Sequence, residues 1–237
     1  SRPEVAATPA PPSPQAAPAP FPRAGIYLIA DAGTRAGPAL VDAVEAALAA
    51  GVRLVQHRVK GPLTRAAVAD ARALKAAVRR HGAVLVVNDR VDLALLAGAD
   101  GVHVGQDDLE IADVRRLLPP GTWVGVSVHD AAEARAAEAQ GADYLGFGNV
   151  FGTATKADAG PLRGVEALAA VCREAAVPVY GIGGVGADNL DRVRAAGAAG
   201  AAVVTAVLGA PDPGAAAAGL VALWAGDGTA GRPASRP

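Results

Sequence analysis

Residues 83–108 read AVLVVNDRVDLALLAGADGVHVGQDD. The run 83–87 (AVLVV) is apolar at every position, so as a strand it has both faces covered, the condition of a strand inside a parallel sheet. Asn88 and Asp89 break the run. Residues 90–97 then read as a short helix, and Gly98 stands where a helix ends in a left-handed residue. A second apolar run, 100–104 (DGVHV), follows. Strand, helix and strand in so few residues form a βαβ unit, and the same rhythm extends in both directions. The sequence predicts strands at 25–30, 52–56, 83–87, 100–104, 122–126, 143–148, 177–182 and 200–204. Helices are predicted at 38–50, 64–81, 90–97, 109–118, 130–140, 164–175, 187–196 and 212–224, with Gly51, Gly82, Gly141 and Gly197 placed like Gly98. Eight such units predict a single-domain α/β TIM (β/α)8 barrel. An open doubly wound sheet is the alternative, but it rarely needs eight regular units, and no G-x-G-x-x-G follows the first strand.

The chain has 237 residues, about half of them hydrophobic, and a formal net charge of −1. That balance lacks the basic footprint of a nucleic-acid binder. No apolar run approaches the roughly 18 residues of a membrane span. The one cysteine, Cys172, excludes an intrachain disulfide and fits a reducing compartment. No signal-peptide pattern is present, so a cytoplasmic location is expected. Residues 1–22 are a Pro/Ala tract, expected to be disordered or polyproline-like, and 227–237 form a second loose tail. The catalytic domain is expected over 23–226.

In a TIM barrel, chemistry sits just beyond the strand C-termini. The scarce polar residues of this chain fall there. Only three lysines occur, Lys60, Lys75 and Lys156, and two of them follow strands. Gln56, Arg58 and Lys60 alternate after the second strand and, if extended, point one way. Asn88 and Asp89 follow the third, Gln106, Asp107 and Asp108 the fourth, Ser127 and His129 the fifth. Thr153, Thr155 and Lys156 follow the sixth, GIGGVG (181–186) the seventh, and Val204 and Thr205 end the eighth. His57 alternates with Gln56 and is read as packing away from the mouth.

Three cations, Arg58, Lys60 and Lys156, converging on one rim call for an anion. Asp89 and Asp108 supply two carboxylates from neighbouring strands, and Mg²⁺ takes one or two carboxylates together with phosphate oxygens and water. A diphosphate bridged by Mg²⁺ is the guest this set suggests. GIGG ahead of a helix offers backbone N–H groups to a separate phosphate. Each element also has a plainer reading: Asp89 and Asp108 as helix caps, Lys60 as a loop lysine, GIGG as a tight turn.

The stretches Q-x-R-x-K (56–60), VNDRVDLALLAGADGVHVGQDD (87–108), GVSVH (125–129), T-x-T-K (153–156) and GIGG (181–184) resemble, in order, the thiamine-phosphate synthase family. That family is a TIM barrel that joins hydroxymethylpyrimidine diphosphate to a thiazole phosphate and releases diphosphate with the help of Mg²⁺. The resemblance implies that Gln56, His57, Arg58, Val59 and Lys60, with Asn88, Ser127 and Lys156, bind the pyrimidine diphosphate. It implies that Asp89 and Asp108 hold Mg²⁺. Thr153, Ala154, Thr155, Gly184, Val204 and Thr205 would hold the thiazole phosphate. Arg58, Lys60, Lys156 and Ser127 would carry catalysis, with small-molecule substrates as partners and a homo-oligomer as a common state of the family.

The chain departs from the family's pattern at Val59, where glutamate is usual, and at Asn149 and Gly152, where the loop reads GNVFGT. That wording leans towards a sister family, the thiazole tautomerases, which place a histidine near position 149 and commonly lack the Asn-Asp pair and the later aspartate. Both carboxylates and Lys60 are present here and the histidine is not. A non-catalytic barrel that binds phosphorylated ligands and regulates a partner is the third reading.

Overall fold

The computed structural model describes residues 20–152 and 160–226. Thr153, Ala154, Thr155 and Lys156, the Pro/Ala tract up to residue 19 and the tail from residue 227 lie outside the described residues. Eight parallel strands close into a barrel in sequence order: β1 (Gly25–Asp31), β2 (Leu54–Arg58), β3 (Val84–Asn88), β4 (Gly101–Val104), β5 (Trp123–Val128), β6 (Tyr144–Phe147), β7 (Val179–Ile182) and β8 (Gly200–Val203). The helices α1 (Gly37–Ala49), α2 (Arg65–Arg80), α3 (Val91–Ala97), α4 (Ile111–Leu117), α5 (Ala131–Ala139), α6 (Gly164–Glu174) and α7 (Leu190–Ala195) alternate with them, and α8 (Thr205–Leu208) and α9 (Pro213–Ala225) follow β8. The predicted barrel is the observed one.

Local chemistry sets the element ends. Thr64 accepts from the Ala67 N–H at the start of α2, Asp130 from Glu133 in α5 and Asp212 from Ala215 in α9, each satisfying a first-turn donor. Gly98 closes α3 at φ 63°, with its N–H on the Ala94 and Leu95 carbonyls. Most element ends shift by one to three residues from the sequence reading, and two of the shifts bear on the mouth of the barrel. Strand β2 lies two residues later and runs through Arg58, because it pairs with β1 as Ala30↔His57 and Asp31↔Arg58. Val204 and Thr205 do not extend β8 but turn into the four-residue α8.

Alternation along each strand divides the side chains between two cores. Outward residues such as Val55, Leu85, Val87 and Leu145 pack under the helices. Inward residues, among them Tyr27, Leu54, Val84, Val86, Tyr144 and Tyr180, fill the barrel itself. Residues 20–22, counted with the Pro/Ala tail from composition, are part of this fold. Phe21 stacks on Tyr144 with ring centroids 4.6 Å apart and lies 5.4 Å from Trp123. The Pro22 carbonyl accepts from Tyr180 Oη at 2.6 Å. An aromatic ring has apolar surface to bury that the surrounding prolines and alanines lack, and it closes the N-terminal end of the barrel.

Helix α9 carries one conformational weakness. Gly219 sits in its interior, exposed, and a Cβ there would meet nothing within 4 Å. Gly219→Ala is expected to stabilise the chain by about 1 kcal/mol, read as a higher urea midpoint.

Candidate active site

The C-terminal mouth of the barrel opens into a cavity of about 390 Å³. Gln56, Arg58, Asn88, Ser127, Gly184, Val204 and Thr205 line it, so seven of the predicted residues, drawn from five strand ends, meet in one space. They are inward-facing strand residues or the residues just beyond, which is why polar groups separated by up to 149 positions converge.

Lys60, Asp89 and Asp108 stand beside this cavity. Lys60 Nζ donates to Asp89 Oδ2 at 3.0 Å, and the Asp89 and Asp108 carboxyls share a hydrogen bond. Asp89 is the one non-glycine among the described residues with positive φ, at 59°. Aspartate tolerates that left-handed conformation better than most residues, at a cost on the order of 1 kcal/mol. The turn is held by the Asp89 N–H on the His103 carbonyl at 2.8 Å. Neither carboxylate caps a helix. Arg90 occupies the N-cap of α3 and Glu110 that of α4, while Asp108 accepts from the Gly105 N–H at 2.7 Å.

Burial pushes the Asp89 carboxyl up, but hydrogen bonds from Lys60 and Asp108 outweigh it and leave its pKa below the ordinary carboxylate value. Asp108 moves the opposite way. Burial raises it and the Asp89 charge adds to that, against the Gly105 N–H. Two touching carboxyls separated in this way need a proton or a cation between them. Among the described residues no cluster of three or more His, Cys, Asp or Glu side chains is assembled. Asp89 and Asp108 offer hard carboxylate oxygens to which a substrate would add its own, a donor set that fits Mg²⁺ better than Zn²⁺.

Arg58, partly buried, forms an ion pair with the buried Asp31, which also accepts from the N–H groups of Gly33 and Thr34 at 2.9 and 3.0 Å. Asp31 holds the guanidinium in place at the cavity wall, a positioning role not assigned from sequence. Gln106 Nε2 donates to the Ser127 carbonyl at 2.7 Å, joining β4 and β5 at the rim.

Two residues taken from the motif do not reach the cavity. His57 is fully buried on the outer face of β2, under the helices, and burial lowers its pKa. Val59 packs against the same outer core. Both follow from the two-residue period, which sends 57 and 59 away when 56 and 58 face in. The departure from the family's pattern at Val59 thus lies off the cavity wall.

The GIGG turn is shaped by its neighbour. Gly183 and Gly184 have φ of 106° and 65°, and a Cβ on either would meet Asn149 Oδ1 at 2.3 Å or the Gly152 carbonyl at 2.1 Å. Close approach of the 149–152 segment is reason enough for both glycines. Asn149 is buried, and its Oδ1 accepts from the Gly152 N–H at 2.9 Å. A carboxamide has no basic nitrogen, so position 149 holds the loop and cannot act as a general base.

At the inner wall of the cavity lies a polar group that the sequence reading passed over: His103, between Tyr144 and Ser127. Its signal was the glycines around it. A Cβ on Gly125 would strike the Tyr144 ring at 2.0 Å, and one on Gly146 would lie 3.0 Å from His103 Cε1. Glycine within an apolar strand marks such close approach.

Comparison with known proteins agrees with this geometry. The family described as thiamine monophosphate synthase matches residues 26–207. The thiamine-phosphate synthase of Solidesulfovibrio magneticus is 56% identical over 192 residues, 81% of this chain and 91% of that one. That of Roseiflexus sp. is 47% identical over 216 residues, 90% of this chain and 92% of its own length. The solved structure of thiamine phosphate pyrophosphorylase from Pyrococcus furiosus is similar with a TM-score of 0.77 at 36% identity, covering 84% of this chain and 94% of that one.

Proposed function

The chain belongs to the thiamine monophosphate synthase family, and from that premise we propose that it condenses hydroxymethylpyrimidine diphosphate with thiazole phosphate, releasing diphosphate and forming thiamine phosphate. The observation that carries the reading is the Lys60–Asp89–Asp108 cluster beside a cavity lined by Arg58, Asn88 and Ser127. It supplies cations, a divalent-metal donor pair and neutral hydrogen-bonding groups at one end of one space.

In the reaction, the bond from the pyrimidine methylene to the diphosphate oxygen breaks and the electron pair leaves with the diphosphate. The thiazole nitrogen then gives its lone pair to the methylene carbon, forming the new C–N bond. Negative charge grows on the leaving group, so preorganised positive groups near it accelerate the step. Arg58, held by Asp31, and Lys60 take that role, and the sequence adds Lys156 to them. Mg²⁺ held by Asp89 and Asp108 would supply further neutralisation of the phosphate oxygens. Gln56 and Asn88 orient the pyrimidine diphosphate. The thiazole phosphate is assigned to Gly184, Val204 and Thr205 together with Thr153, Ala154 and Thr155. No protein nucleophile is required, and orienting two bound substrates contributes the rest.

The test is one assay with both substrates, with and without Mg²⁺, following diphosphate and thiamine phosphate. Turnover of both products only with Mg²⁺ is expected. Metal-independent conversion of thiazole phosphate alone would mean a tautomerase, a reading already weakened by the amide at position 149. Ligand binding without turnover would mean a regulatory barrel.

A further inference from the structure

Five side chains from five strands form a continuous hydrogen-bonded chain through the barrel interior. Gln56 Nε2 donates to Tyr27 Oη at 2.7 Å. Tyr27 Oη and Tyr144 Oη lie 2.8 Å apart. Tyr144 Oη is 3.0 Å from His103 Nδ1, and His103 Nε2 is 2.9 Å from Ser127 Oγ. All but Ser127, at the cavity end, are buried.

The direction of each bond follows from the first. An amide NH₂ can only donate, so the Tyr27 oxygen accepts and its own proton is left for Tyr144. The Tyr144 oxygen accepts in turn, and its proton goes to His103 Nδ1, which must therefore present a lone pair. A neutral imidazole with a bare Nδ1 carries its hydrogen on Nε2, and that hydrogen goes to Ser127 Oγ. The Ser127 oxygen has then accepted from inside the barrel, and its own proton is left to point into the cavity. An imidazolium would donate from both nitrogens and meet the Tyr144 proton head-on. Burial also raises the pKa of both tyrosines, which keeps them protonated throughout. In this low-dielectric interior a chain with one reversed member leaves two protons or two lone pairs facing each other, so the members are set together.

We propose that this chain holds His103 as its Nε2–H tautomer and thereby fixes Ser127 as a hydrogen-bond donor towards an acceptor-only guest, with Tyr27, Tyr144 and His103 as positioning residues. The guest is the diphosphate only if the function proposed above holds; the tautomer does not depend on it. Packing supports the geometry, since Phe21 stacks on the Tyr144 ring and Gly146 makes room for the His103 ring.

The first test is ¹⁵N NMR of the histidine-labelled chain without ligand, at about pH 8.5, where an imidazole is neutral. His103 is assigned by the signal lost in His103→Asn. It is expected as the Nε2–H tautomer in the wild type and as a mixture in Tyr144→Phe. The Nδ1–H tautomer in the wild type would overturn the proposal, because Ser127 would then donate inward. The second test is a double-mutant cycle on kcat. Tyr27→Phe is expected to lower kcat about tenfold in the wild type and to have no further effect in Ser127→Ala. An equal loss in both backgrounds would mean that Tyr27 acts through general packing, and would also overturn it. A chain without synthase activity would remove the proposed function and still yield the tautomer.

Discussion

Asp89→Asn is expected to lower kcat for Mg²⁺-dependent diphosphate release by on the order of 10³-fold while the chain stays folded. Asparagine is the one substitution that isolates the charge. It tolerates the left-handed conformation that Asp89 adopts at φ 59°, so the turn between β3 and α3 survives. Its amide can donate to Asp108, replacing the hydrogen bond the two carboxyls now share. Lys60 loses its partner, but its side chain is half exposed, so little stability goes with that pair. What disappears is one of two hard anionic donors. Asp108 alone, no longer facing a second carboxylate, is expected to titrate lower and to bind Mg²⁺ weakly. The measurement is diphosphate release against Mg²⁺ concentration, with thermal unfolding of the same sample. Turnover equal to wild type at saturating Mg²⁺, with unchanged unfolding, would remove Asp89 from the metal site.

The sequence displayed the rim of this barrel more clearly than its interior, and the reason is physical. Rim residues are polar interruptions at the ends of apolar runs, so Arg58, Asn88, Asp89 and Ser127 stand out by contrast. The strict two-residue period also excluded His57 from the cavity, although the motif carried it in, and the structure agrees with the period. Interior polar groups lack that contrast. His103 and Tyr144 sit inside strands that read as apolar, and their partners lie on strands distant in sequence, with Tyr27 and Tyr144 separated by 117 positions. Asp31 stands just past the first predicted strand, and its role depends on the register that sets it opposite Arg58. Composition misplaced the start of the fold for a similar reason: the proline-rich context of Phe21 says nothing of a ring stacked under the barrel.

Gly125→Ala is expected to destabilise the chain by about 3 kcal/mol, a large effect for one methyl group. The added Cβ would lie 2.0 Å from Tyr144 Cζ and 2.4 Å from its Oη. Real Cβ atoms do not approach so closely, so the ring or strand β5 must move. The ring has little room. Phe21 stacks on it, Tyr27 and Tyr180 meet it edge-on, and its hydroxyl is shared between Tyr27 and His103. Strand β5 is no freer, because its ladders to β4 and β6 pair Gly125 with His103 on one side and Tyr144 on the other. A methyl group at this point therefore strains packing and hydrogen bonding together, whereas the same change at Gly219 fills open space and should raise stability. Urea unfolding of the two variants side by side separates these effects, since both lose the same glycine entropy in the unfolded chain. A Gly125→Ala midpoint within error of wild type would show that the barrel interior yields at Tyr144. The aromatic layer would then be too soft to orient His103, and the positioning of Ser127 would have to come from the rim alone.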